Sequence, residues 1–212
     1  MKRRYAVPVV SAVVMVLASV LATPSAHAEQ SATWDLPRDK DVVARFGFGS
    51  DIHVGRNSGK YGSAVDKLKN ALSAYRQAGV DAVGFSGDLT DSGQVGQYQT
   101  LMDTLNTGTD DSEQVILAMG NHETLDAGVS DSPQRFKKYT GQEMNKLVEV
   151  NGVDVITMGP QNEDDDYRAD YDFLKTTLDR ITSRANYDPN RPIFVLTHHG
   201  VQNTAYVTNE WY

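Results

Sequence analysis

Four short stretches of the sequence combine residue types that do chemistry: Ser50-Asp51-Ile52-His53, Gly87-Asp88-Leu89-Thr90-Asp91, Gly120-Asn121-His122-Glu123 and Thr197-His198-His199-Gly200. Each follows an apolar run that reads as a buried strand. Of five histidines, His27 lies near the N-terminus, and the other four, His53, His122, His198 and His199, all stand directly after such runs. A lone histidine is an ordinary packed or surface residue. Four out of four at strand ends, accompanied by Asp51, Asp88 and Asn121, make a metal-ligand pattern. Imidazole and carboxylate donors suit zinc, iron, manganese and related cations. The chain has no cysteine, so nitrogen and oxygen must supply every ligand. One carboxylate can face two cations, and Asp88, in the middle motif, is the natural bridge. Two cations about 3.5–4 Å apart clamp a phosphoryl group and acidify a water toward hydroxide.

The elements that position these residues follow from periodicity. Val42 to Ser50, Ala82 to Ser86, Val115 to Met119 and Ile193 to Leu196 read as strands. Val65, Leu68, Leu72 and Tyr75 mark one face of a helix from Ser63 to Ala78, which Gly79 ends. A second helix covers Val95 to Asn106. Strand–helix–strand–helix–strand is the pattern of an α/β fold with a parallel sheet, whose ligands bind beyond the carboxyl ends of the strands. Further on, a short helix is expected over Pro133 to Tyr139. A hairpin spans Leu147 to Met158 around Asn151-Gly152, and a helix runs from about Asp170 to Arg184. Glu163-Asp164-Asp165-Asp166 lacks an EF-hand pattern and reads as acidic residues serving a helix N-terminus. Val201 to Tyr212 reads as loop.

The N-terminus is a separate matter. Lys2-Arg3-Arg4, an apolar stretch from Ala6 to Ala22 and an Ala26-x-Ala28 site form a secretory signal peptide over residues 1–28. The rival is an uncleaved anchor, since about 17 apolar residues touches the lower limit of a span; Pro24 and the small residues favour removal. An N-terminal arm (29–41) and one domain (42–212) would remain, in a secreted protein without a stable membrane span. The whole chain of 212 residues carries a net charge of −8; without the signal it has 17 basic and 28 acidic residues, or −11. So acidic a surface is a poor holder of nucleic acid. A phosphate would have to be attracted by metal ions. Nothing in the sequence sets the oligomeric state.

Asp51-x-His53, Gly87-Asp88, Gly120-Asn121-His122-Glu123 and His198 together resemble the first four motifs of the calcineurin-like metallophosphoesterase superfamily, in order, from Arg45 to about His199. The resemblance implies a layered α-β-β-α sandwich and hydrolysis of phosphomonoesters or phosphodiesters by a hydroxide bridging two divalent or trivalent ions (Mn, Fe or Zn). It implies that Asp51 and His53 bind the first metal, that Asp88 bridges, and that Asn121 and His198 bind the second. His122 would face the substrate and protonate the leaving alkoxide. Asp91 would be the carboxylate that orients His122. Ser92 and Gly93 stand where the related protein phosphatases have Arg, which argues for a small-molecule phosphate ester rather than a phosphoprotein. His199 is open between a group facing the substrate and a plain neighbour.

One motif is missing. The family's closing Gly-His-x-His does not occur between His199 and Tyr212, and its second sheet is expected to follow that point. These residues are therefore expected to be the N-terminal part of a longer protein. The alternative is a non-catalytic or impaired metal-binding fragment or pseudoenzyme. A third reading, a cell-surface interaction domain on the same fold, rests on export and acidity alone. Specificity is expected from Arg56 to Gly62 and Asp126 to Lys138, both read as loops, and from the segment expected beyond Tyr212.

Overall fold

The structure is a computed structural model that describes residues 14–16, 42–58, 62–160 and 170–200. In chain order it contains β1 (Val14–Val16), β2 (Phe46–Gly49), a small hairpin β3 (Asn57–Ser58) and β4 (Gly62–Ser63), α1 (Ala64–Ala78), β5 (Ala82–Phe85), α2 (Val95–Gly108) and β6 (Gln114–Leu117). After a short 3-10 turn (His122–Thr124) come α3 (Gly128–Thr140), β7 (Lys146–Val150), β8 (Val153–Met158), α4 (Tyr171–Thr182) and β9 (Ile193–Thr197). The acidic run 163–166, most of the expected signal peptide, the 29–41 arm and the segment 201–212 lie outside the described residues.

Two sheets form. The first has the order β1-β2-β5-β6 and is parallel throughout, with Phe46 opposite Ala82 and Ala82 opposite Gln114. The second, β7-β8-β9, joins an antiparallel hairpin to a parallel strand that returns through α4. Asn151 and Gly152 turn the hairpin at φ 50° and 79°, the positive pair that a two-residue turn needs.

Alternation along the strands sorts the side chains into layers. Val83, Phe85, Leu117 and Met119 pack with Leu68, Leu72, Tyr75, Tyr98 and Phe136 of the helices. Phe46, Ala82, Ile116 and Ala118 pack instead with Val150, Val155 and Leu196 of the second sheet. Ile156 and Met158, on that sheet's outer face, meet Ile181 and Phe173 of α4. The layers are thus helix, sheet, sheet, helix. Each fully buried large side chain adds about 1.5–3 kcal/mol, so the two sheets are held on both faces.

Two expectations are corrected, and one further pairing is found. The second sheet does not follow His199, because residues 146–197 already build it. The helix expected over Pro133 to Tyr139 starts at Gly128 and carries Pro133 in its interior, so Asp126 to Lys138 is mostly helix rather than loop. The segment Val14–Val16, inside the expected signal peptide, runs as a strand beside β2. The open N–H and C=O groups of an edge strand accept such an apolar segment readily.

Candidate metal centre

The site lies past the carboxyl ends of β2, β5, β6 and β9. The loop after β2 and the loop after β5 continue their ladder beyond the strands. Ser86 N–H donates to Gly49 C=O (2.9 Å), Asp51 N–H to Gly87 C=O (3.1 Å) and His53 N–H to Asp88 C=O (2.9 Å). Val54 N–H donates to Leu89 C=O and Asp91 N–H to Val54 C=O, both at 2.9 Å. These bonds hold Asp51, His53 and Asp88 in the left-handed region, at φ 56°, 51° and 50°. Non-glycine residues there cost on the order of 1–3 kcal/mol each and cluster at functional sites. The strain turns all three side chains toward one point.

Glycines allow the segments to meet. A Cβ on Gly120 would lie 2.3 Å from Asp88 N, and one on Gly87, at φ 105°, would lie 2.7 Å from His198 Cβ. No side chain fits at either position. Next to them Glu123, fully buried, accepts Thr90 N–H, Thr90 Oγ–H and Gly120 N–H, each at 2.8 Å. Burial pushes the Glu123 carboxyl above its usual range in spite of these donors. Sequence reasoning quoted Glu123 in its motif without giving it a task; an acid inside an otherwise buried turn was the available signal.

The expected ligands converge on Asp88, which is only 4% exposed. His198 Nε2 lies 3.3 Å from Asp88 Oδ1, while His53 Nε2 and His122 Nε2 lie 3.7 and 3.8 Å from Oδ2. Asp51 Oδ1 is 3.8 Å from His53 Nε2, and Asn121 Oδ1 is 3.1 Å from His198 Nε2. His122 also donates its main-chain N–H to Asp88 Oδ1 at 2.9 Å. Burial alone would raise the Asp88 carboxyl, but His198 and the His122 N–H override it and hold the group below the ordinary range. For His198 burial acts to lower, yet contact with Asp88 prevails and the imidazole titrates high; His53, its burial prevailing over Asp88, titrates low.

Two of the three imidazoles are held at Nδ1 by a main-chain carbonyl, and the third faces a carboxylate without a hydrogen bond. His198 Nδ1 faces Ser86 C=O (3.1 Å), His122 Nδ1 faces Asp91 C=O (2.6 Å), and His53 Nδ1 faces Asp91 Oδ1 (3.7 Å). For His198 and His122 a proton on Nδ1 suits the carbonyl and leaves Nε2 toward the centre, the usual way in which an acceptor behind the ring fixes a histidine at a metal site. Asp91 meets His122 through its main-chain carbonyl, where the resemblance implied the carboxylate. That carboxylate faces His53 and Arg56, whose Nε stands 2.9 Å from Asp91 Oδ1. His199 packs edge-on against His198, 4.9 Å between ring centres, and burial, then His198, lowers its titration.

The donor set fits metal ions. Nε2-to-carboxylate gaps of 3.3–3.8 Å are long for hydrogen bonds. Two ligand atoms each about 2.0–2.2 Å from one cation stand about 3.5 Å apart at a tetrahedral angle. Two triads gather atoms within 4.8 Å: Asp51 with Asp88 and His198, and His53 with Asp91 and His122.

The family model described as calcineurin-like phosphoesterase matches residues 44–210. Among solved structures, a dimetal phosphatase from Danio rerio is similar at a TM-score of 0.38 and 19% identity, covering 53% of this chain and 42% of that one. The present chain thus spans less than half of that protein's length. No curated protein matches the chain.

Proposed function

We propose that this chain, which belongs to the calcineurin-like phosphoesterase family, hydrolyses small-molecule phosphate esters with two metal ions held by Asp51, His53, Asp88, Asn121 and His198. The observation that carries the reading is the division of the Asp88 carboxylate, one oxygen toward His198 and the other toward His53. Asp51 and His53, 3.8 Å apart, would hold one ion and Asn121 and His198, 3.1 Å apart, the other, with Asp88 common to both; Asp51 also stands in a triad with His198 and lies close to both positions. Ions so placed would neutralise phosphoryl oxygens and lower the pKa of a water toward neutrality.

The residues supply the rest. Ser86 C=O fixes the ring orientation of His198, and the Asp91 carboxylate faces Nδ1 of His53, so that each presents a lone pair on Nε2. His122, tied at Nδ1 to Asp91 C=O, holds a proton on Nε2 and gives it to the leaving alcohol oxygen as the ester P–O bond breaks. Glu123 and the glycine contacts keep this geometry without substrate. Preorganised charge of this kind is the larger part of phosphoryl-transfer catalysis. We place the protein outside the cytoplasm on the strength of residues 1–28, and Glu29 as the first residue of the secreted form would support that.

The test is calorimetric titration with manganese or zinc beside hydrolysis of p-nitrophenyl phosphate and its bis-ester. Asp88→Asn is expected to abolish turnover and weaken both ions. An equally active variant would sink the shared-ligand assignment. Ion binding without turnover in the wild type would return the non-catalytic reading.

A further inference from the structure

Arg56 follows His53 by three residues and is fixed at both ends of its main chain. Its N–H donates to His53 C=O (2.9 Å) and its C=O accepts from Ala64 N–H (3.3 Å). Its Nε stands 2.9 Å from Asp91 Oδ1. The same residue meets His53 Nδ1 through that oxygen, at 3.7 Å, and His122 Nδ1 through its carbonyl, at 2.6 Å. One residue therefore joins the guanidinium to two imidazoles of the centre. Among the described residues, Arg56 is the one Lys or Arg that pairs with a carboxylate of the site.

The arginine side chain is 57% exposed, and an ion pair so open adds little to stability. Nε meets Asp91 Oδ1 as an ion pair without a hydrogen bond, and the two terminal nitrogens form no hydrogen bond among the described residues. Arg56 also lines a cleft of about 290 Å³ together with Gly55, Asn57, Ser63 and Gln97.

We propose that Arg56 biases the site toward phosphomonoesters over phosphodiesters. A monoester near neutral pH carries close to two negative charges and three non-bridging oxygens, whereas a diester has one charge and two such oxygens. The centre is bordered by Asp51, Asp88 and Asp91 in a chain of net charge −8, so the doubly charged ester gains more from a fixed cation. The guanidinium has free donors in a planar fork that matches phosphate oxygens.

The inference rests on the phosphoesterase reading but is tested apart from it. Inorganic phosphate and dimethyl phosphate are titrated calorimetrically into the full manganese-loaded chain, wild type, Arg56→Lys and Arg56→Ala, with circular dichroism to compare folding. The Kd for phosphate should rise about tenfold or more in Arg56→Ala and recover partly in Arg56→Lys, while that for dimethyl phosphate shifts by less than about threefold. The ratio of kcat/KM for p-nitrophenyl phosphate over its bis-ester should fall by a similar factor. Equal weakening of both anions, no weakening of either, or no phosphate binding by the wild type overturns the proposal. A wild type that cleaves neither ester refutes the hydrolytic reading, and the phosphate titration still judges Arg56. Should Arg56→Ala fail to fold, Arg56→Gln is read in its place.

Discussion

Glu123 holds Thr90 twice, accepting its main-chain N–H and its hydroxyl at 2.8 Å each, from a position without solvent exposure. Its other oxygen takes Gly120 N–H at 2.8 Å. The acid is thus a clamp between the loop after β5 and the loop after β6. Removing it in Glu123→Ala strands three buried donors, each worth about 1–3 kcal/mol. We expect a loss of about 3–5 kcal/mol in urea unfolding, with Glu123→Gln losing roughly half as much because one acceptor survives. A change below about 1 kcal/mol in the alanine variant would show that the clamp is idle.

His122 stands with His53 and Asp91 in one of the two triads, so ligand and proton donor are competing roles for it. As proton donor, His122→Ala should lower kcat by about 10²–10⁴-fold and leave two ions bound per chain by elemental analysis. Loss of one ion would make His122 a ligand instead.

Metal should stabilise the folded chain by mass action. At a manganese concentration about 100 times Kd the gain is about 2.7 kcal/mol, which for a chain of this size raises Tm by roughly 5–10 °C. Differential scanning fluorimetry reads this directly. Asp88→Asn should remove most of the shift, and an undiminished shift would place the ions elsewhere.

Far from the centre, burial lowers the Lys146 ammonium to about 8. Its Nζ contacts Gln142 Oε1, and the same amide accepts Leu117 N–H (3.0 Å) and donates to Val115 C=O (2.9 Å). The folded chain gives up this proton before the unfolded chain does. Between about pH 8 and the ordinary lysine value near 10.4, the unfolded state thus binds more protons, and stability rises with pH. Urea midpoints measured across that range should climb in the wild type and flatten in Lys146→Met. The same slope in both would assign the effect to another group.

Much of this was legible in the sequence, because strand ends and glycines impose local rules. The runs before Asp51, Asp88 and Asn121 fold as β2, β5 and β6 in one parallel sheet, and their polar residues meet where such sheets bind ligands. Asn151-Gly152 made the expected turn for the same local reason. What escaped were decisions made by distant contacts. Pro133 reads as a helix start, yet Phe136, fully buried in the core under α2, and Tyr139, stacked on Tyr98, anchor a longer α3 that runs through the proline. The second sheet pairs β8 with β9 across α4, a partnership that no local pattern announces. Arg56 passed for a loop residue because its partner, Asp91, is brought to it only by the ladder between two loops.

His198 reaches Asp88 from the second sheet, while Asp51, His53, Asp88 and Asn121 ride on the first. Between the two sheets lies the layer of Phe46, Ala82, Ile116, Val155 and Leu196. The thickness of that layer acts as a gauge block for the centre. A side chain one methylene longer or shorter at Ile116 or Val155, neither of them a ligand, would reset the gap across which His198 and Asp88 face one another. Tuning of this centre is therefore open to residues that never touch it.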